Sequence, residues 1–198
     1  MAIIVDKVQK RRDIALSCKE IFFQNGINDL TISQIAKTAG VGKGTIYEYF
    51  KNKEDIIFEI VNILIQERNK GMFLEISDLQ STREKIKRFS RFFYCEEDVE
   101  LRQLYKEFIS ISLVQPDSKM MAMQSSITKD YFSWFVSIIE LGIESGELQP
   151  NAQEFTKGIF AVGEGMFIKS CVTDIIDDLE SELHQFYDAL FDMLEVQR

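Results

Sequence analysis

Residues 31–54 read TISQIAKTAGVGKGTIYEYFKNKE, and their order of small, apolar and turn-forming side chains decides the fold. Thr31 and Gln34 stand three apart, the spacing of a capping box in which each side chain satisfies the other residue's free backbone N–H. The box opens a short helix whose inner side carries Ile32, Ile35 and Ala36. Ala39-Gly40-Val41-Gly42 breaks that helix, Gly40 taking a turn conformation that is costly for a residue with a side chain. Lys43 to Phe50 then forms a second short helix with Ile46, Tyr47 and Phe50 at helical spacing. Two short helices joined by a tight glycine-containing turn make a helix-turn-helix. Ala36 must be small because the second helix crosses over it, and Val41 and Ile46 bury the hinge.

Outward from this centre almost every segment reads as helix. Upstream, Lys7 to Asn25 places Ile14, Cys18, Ile21 and Phe22 on one face, and Gly26 stops it. Downstream, Asn52 caps a long helix that is apolar nearly all round from Ile56 to Ile65. Further helices begin at Ser81 (a capping box with Glu84), near Asp98, near Ser118, at Asn151 and near Asp177, the Ser118 helix ending at Gly146. Phe108 to Val114 alternates like a strand, but Leu101, Leu104, Tyr105 and Phe108 set a helical period just before it. The expected fold is all-α with about nine helices, a three-helix head at residues 1–51 and a helical body at 52–198.

Composition narrows the chemistry. The chain has 198 residues, of which 45% are hydrophobic, enough for a real core. Residues 1–55 hold nine Lys/Arg against seven acids, a net of +2; the remaining 14 bases and 25 acids give the rest −11. A mildly basic head on an acidic body suits a head that meets a polyanion. Cys18, Cys95 and Cys171 are far apart and form no C-x-x-C pair, which fits a reducing cytoplasm. His184 is the single histidine, so histidine-based metal clusters and triads lack their parts, and no glycine-rich phosphate loop occurs. An enzyme is not expected, nor a metal or other cofactor. No apolar run reaches the roughly 18 to 20 residues of a membrane span, and Met1–Val5 is too short for an export signal.

Only the N-terminal end of a recognition helix enters the major groove, so small and hydrogen-bonding side chains are needed there. Lys43, Gly44 and Thr45 occupy that end. The runs T-I-x-x-I-A-x-x-A-G-V and K-G-T-I-Y-x-Y-F-x-N-K-E strongly resemble the TetR family of bacterial transcriptional regulators, and RRDIALSCKEIFFQNG fits that family's first helix. The resemblance covers about 45 residues and implies a homodimer with a DNA-binding head and a ligand-binding and dimerisation body. It implies base-edge reading by Lys43 and Gly44 and a backbone or base contact by Thr45. Phosphate contacts fall to Tyr47, Tyr49 and Lys53, and contacts from the preceding helix to Thr31 and Ser33. Two positions depart from the pattern: Tyr49 stands where histidine is common, and Gly42 where a serine often caps the recognition helix. Tyr47 has packing as its plain alternative, and Lys10-Arg11-Arg12 is either a solvated helix start or a contact to phosphate or the minor groove.

In the body, Leu179, Leu183, Phe186, Leu190 and Met193 form a heptad seam widened by Tyr187, Phe191 and Leu194. Part of it packs on its own subunit, and the resemblance makes the rest a dimer face. Gly165, Leu183, Phe186, Tyr187 and Leu190 are its expected members, with Gly158 and Ala161 allowing close helix approach. Aromatic and methionine side chains, Phe89, Phe92, Phe108, Trp134 and Met166 foremost, are plain core one by one but as a set can line an adaptable apolar cavity. Glu164 lies in an apolar run, either at a subunit interface or as a polar anchor in that cavity. The expected function is a ligand-responsive dimeric repressor. It binds a palindromic double-stranded operator, and a small hydrophobic or cationic-amphipathic effector releases it by shifting the helix that begins at Asn52. The alternative is a DNA-binding adaptor of the same fold whose body binds a protein and no small molecule.

Overall fold

The computed structural model describes residues 6–26, 29–114 and 118–197. The Met1–Val5 stretch, read above for an export signal, lies outside them. The helices are α1 (Lys7–Ser17), α2 (Lys19–Asn25), α3 (Ile32–Thr38), α4 (Lys43–Tyr49), α5 (Lys53–Ser77), α6 (Thr82–Ser90), α7 (Val99–Val114), α8 (Ser118–Glu144), α9 (Ala152–Val172) and α10 (Leu179–Leu194). Short 3₁₀ turns at Arg91–Phe93 and Glu96–Asp98 link α6 to α7. Among the described residues there is no strand, only an isolated antiparallel bridge between Leu148 and Glu195. Among the described residues no helix is long and apolar enough to cross a membrane.

The first helix expected from sequence is interrupted once. Cys18 separates α1 from α2, and Ser17 Oγ donates to the Ile14 carbonyl at 2.7 Å, a back-bond that bends helices. Taken as one bent rod, α1 and α2 bring the described helices to nine. The expected start and stop signals operate. Asp55 N–H donates to Asn52 Oδ1 at 2.9 Å, and Ser81 and Glu84 form a capping box. At Gly146 (φ 73°) the Gly146 and Glu147 amides fold back to the Ile143 and Gly142 carbonyls, the paired bonds of a Schellman stop.

The helices form two compact units. Residues 1–69 and 100–117 make the first, so α7, save its first residue, joins the head helices and the start of α5. Its core holds Ile14, Cys18, Phe22, Ile35, Ile46 and Phe50, all nearly inaccessible. There α7 is tied to α2 by Lys19 Nζ on Glu100 Oε2 (2.9 Å) and by Gln103 Nε2 donating to the Phe23 carbonyl (3.2 Å). Phe108 stacks on Phe58 of α5 with centroids 5.9 Å apart.

Residues 70–99 and 118–198 make the second unit, where α8, α9, α10 and α6 pack on one another. Glu147 accepts from both the backbone amide and the hydroxyl of Thr82 at 2.7 Å, taking up free donors at the start of α6. One turn of α6 also meets the end of α10, where Arg83 bonds Glu195 through two nitrogens (2.9 and 2.8 Å) and Asp192 through one (2.7 Å). Gly163 lets Phe93 lie against α9: a Cβ there would sit 2.6 Å from Phe93 Cε2 and 3.3 Å from the Tyr187 hydroxyl.

That close approach yields a stability prediction. Gly163→Ala should destabilise the protein by about 1–3 kcal/mol through overpacking. Gly71→Ala, on α5 with nothing within 4 Å of the new methyl, should stabilise it by up to about 1 kcal/mol through helix propensity. Chemical unfolding of both variants measures the contrast; equal midpoints would contradict the packing.

Candidate nucleic-acid interface

The helix-turn-helix is built as its residues require. Thr31 Oγ1 accepts from the Gln34 amide at 3.4 Å, and Gln34 Oε1 accepts from the Thr31 amide at 3.0 Å and the Thr31 hydroxyl at 2.6 Å. Gly40 has φ 65°, and the Gly40 and Val41 amides return to the Lys37 and Ala36 carbonyls at 3.2 and 3.0 Å, closing α3. Ile35, Ala36, Ile46 and Phe50 turn inward. At the head of α4, Gly42 is extended (φ −73°, ψ 155°) and supplies no side-chain cap.

The opposite face is open. Ser33, Lys37, Lys43, Gly44 and Glu48 are exposed, and Tyr47 keeps 59% of its surface, which removes the core-packing reading for it. Thr45, Tyr49 and Lys53 are half-buried at its margin. Thr31 is exposed, but its hydroxyl is engaged in the capping box. Lys37 and Lys51 are exposed bases beside these positions that sequence reasoning left out; the helical step from Ser33 to Lys37 was the available signal.

Arg11 departs from the solvated reading of Lys10-Arg11-Arg12. Its guanidinium turns inward, with Nε on Glu59 Oε2 at 2.8 Å and its central carbon 4.2 Å from the Phe50 ring centre. Arg12 Nη1 donates to Gln66 Oε1 at 3.3 Å. The partners on α5 lie some fifty residues downstream, so local spacing carried no sign of them.

The expected cavity residues fall in different places. Phe89 and Trp134 stack at 5.3 Å, and Phe89 also meets Tyr131, Phe135 and Phe160 at 5.7 to 6.1 Å. Phe92 packs edge-on to Phe93, Met166 is half-buried on α9, and Phe108 belongs to the first unit. The expected dimer residues divide as well. Leu183 and Tyr187 are inaccessible within the single chain, lining up with Phe191 and Leu194, so they serve its own core. Phe186 and Met193 point outward at 38% and 65% exposure with Leu190 half-buried between them, and Gly165 lies exposed on α9. The seam read as one stripe is two, about a quarter-turn apart on α10.

The second unit also carries an open cleft of about 690 Å³. On its wall the Tyr94 hydroxyl and His184 Nε2 are 3.1 Å apart. Burial, then the Glu180 carboxylate, pushes the Tyr94 phenol up from its ordinary value. Three cations line the cleft, each already paired: Lys87 with Asp188 at 2.5 Å, Arg88 with Glu75, and Arg91 with Glu97 at 3.8 Å. Burial and then Asp98 likewise raise the Cys95 thiol, and burial raises Cys18, the reverse of what activates a thiol nucleophile. Among the described residues no three His, Cys, Asp or Glu side chains converge to hold a metal.

Comparison with known proteins bears on this geometry. Residues 18–60 match the family model described as bacterial regulatory proteins, tetR family. The HTH-type transcriptional regulator YhgD of Bacillus subtilis is 31% identical over 152 residues, 75% of this chain and 77% of that protein. The fatty acid metabolism regulator protein of the same organism is 30% identical over 148 residues, 72% and 73% of the two chains. Among solved structures, the transcriptional regulator FadR from Bacillus subtilis in complex with stearoyl-CoA is 26% identical with TM-score 0.64, covering 90% of this chain and 96% of its own. A TetR-family regulator from Cytophaga hutchinsonii superposes with TM-score 0.78 over 99% of this chain and 100% of its own; at 15% identity it shares the fold.

The capping geometry of Thr31 separates a folding role from a contact role. Thr31→Ala should lower stability by about 0.5–2 kcal/mol, as loss of an N-cap does. Thermal melting without DNA reads that effect; an unchanged melting temperature would remove the cap from the account.

Proposed function

Because the chain belongs to the TetR family of bacterial regulatory proteins, and is therefore a DNA-binding transcriptional regulator rather than an enzyme, we propose that it acts as a homodimeric, effector-released repressor. The observation that carries the DNA-reading face is the outer side of α3 and α4, where Ser33, Lys43, Gly44 and Tyr47 are held clear of a fully buried inner side. In this reading Lys43 and Gly44 meet base edges, with Thr45 beside them. Tyr47, Tyr49 and Lys53 hold phosphates, and Ser33 and Thr31 add contacts from α3. Residues 1–51 read DNA and residues 52–198 bind effector and partner subunit. The outward stripe of α10 (Phe186, Leu190, Met193) beside exposed Gly158, Ala161 and Gly165 of α9 supports pairing with the same stripe of a second copy. Such a two-fold pair suits an operator that is palindromic or nearly so, in a cytoplasmic protein.

An acyl chain is the effector class best supported. The aromatic cluster around Phe89 and Trp134 offers soft apolar contacts. One relative is named as a fatty acid metabolism regulator, and a similar structure was solved with stearoyl-CoA. Rings 5.3 to 6.1 Å apart must part to admit such a chain, and that closeness keeps the adaptor reading as the rival.

Affinity measurements on duplexes test the DNA face. Lys43→Ala should weaken a selected duplex by about 1–3 kcal/mol and leave a scrambled one nearly unchanged. Lys53→Ala should weaken both alike and lower the slope of log K against log salt by about one. Equal wild-type binding to both duplexes would contradict the reading.

Trp134 is the only tryptophan, so its emission reports on the aromatic cluster. Stearoyl-CoA should shift or quench that emission and release the selected duplex, and the duplex should weaken the ligand by the same factor. If long-chain acyl compounds change neither Trp134 emission nor the melting temperature, the protein-binding adaptor becomes the better reading.

A further inference from the structure

We propose that Arg11 is a positioning residue for DNA recognition: it locks the end of the recognition helix to α1 and α5 and touches no DNA itself. The inference rests on the reading that the outer face of α3 and α4 meets the duplex.

The last carbonyls of any helix lack an intrahelical donor, and in a helix as short as α4 they are a large share of its backbone. Arg11 supplies one such donor: its Nη1 bonds the Tyr49 carbonyl in the final turn of α4. The same guanidinium holds α5 twice, through Nε to Glu59 Oε2 at 2.8 Å and Nη2 to the Asp55 carbonyl at 3.5 Å. Its central carbon lies over the ring of Phe50, the buried residue that caps the end of α4. One planar group thus fixes three elements at the point where the chain leaves the recognition helix. The link is tied from the other side too, by the Lys51 amide on Asp55 Oδ2 (3.0 Å) and the Asp55 amide on Asn52 Oδ1 (2.9 Å).

Two consequences follow from this geometry. Tyr49 and Lys53, two of the three proposed phosphate contacts, bound the clamped stretch, so its pose sets theirs. Each of the three guanidinium nitrogens gives one N–H to a partner within the protein, so the charge is committed inward and only the second N–H of each Nη could meet a phosphate. Lysine cannot substitute, because a point charge on a flexible stem provides neither the fork of donors nor the stacking plane.

The test uses the full-length protein, a duplex selected by the wild type from a random library, and a scrambled duplex of equal length, titrated across several salt concentrations. Arg11→Lys and Arg11→Gln should each weaken the selected duplex by roughly tenfold to a hundredfold, the scale of a lost charge-assisted hydrogen-bond set. The scrambled duplex should bind within about twofold of wild type, with the salt slope unchanged. Wild-type binding by Arg11→Lys would overturn the proposal. So would an Arg11→Gln loss equal on both duplexes with the slope lower by about one, the signature of a phosphate contact. Should the Arg11 variants not fold, Glu59→Gln carries the test, since it removes the clamp's carboxylate charge and keeps its shape. It must weaken the selected duplex and spare the scrambled one; unchanged binding to the selected duplex overturns the proposal. A wild type that fails to distinguish the duplexes refutes the DNA-face reading instead, before Arg11 is reached.

Discussion

A helix of two turns cannot hold its own place. Nucleation is unfavourable and isolated helices shorter than roughly 12 residues are marginal in water, so α4 exists because something outside it holds it. What holds it is the burial of Ile46 and Phe50, each contributing about 1.5–3 kcal/mol, in the core that also holds Ile35, Ala36, Cys18 and Phe22. Everything proposed for the head depends on this constraint. The inner face has to be wholly apolar so that the outer one can carry Ser33, Lys43 and Tyr47 with no structural duty.

The residues that belong to this arrangement were legible where the physics is local. Thr31 with Gln34 and Ser81 with Glu84 announce helix starts by spacing alone, and Gly40 and Gly146 announce turns because both take positive φ. The alternating Phe108–Val114 stretch sits inside α7, as the period set by Leu101, Leu104 and Tyr105 indicated. Distant partners were not legible. Arg11 looked like a surface base because Glu59 is 48 residues away, and Thr82 gave no sign that Glu147 would receive its amide and hydroxyl. The α10 seam showed the same limit. Its apolar residues cover more than one face, and periodicity does not say which of them the chain keeps for itself; Leu183 and Tyr187 go inward and Phe186 and Met193 do not.

The second unit has a different character from the head. Its helices are held by polar fasteners at their ends, Glu147 on Thr82 and Arg83 on Glu195 and Asp192, around a middle rich in aromatic rings. Fixed ends with soft apolar side chains between them would suit the acyl-chain effector proposed above. Each cation lining the open cleft of this unit already has an acid, which fits the ring cluster's proposed role as the site of an apolar guest.

The central claim is that the outer face of α3 and α4 is the surface that meets DNA. Lysine acetylation read by mass spectrometry, with and without a duplex selected by the protein, tests it residue by residue. Lys37, Lys43, Lys51 and Lys53 should lose reactivity when the duplex is bound, while the exposed Lys129, Lys157 and Lys169 of the body keep theirs. Protection of the body lysines with Lys43 and Lys53 still reactive would contradict the account.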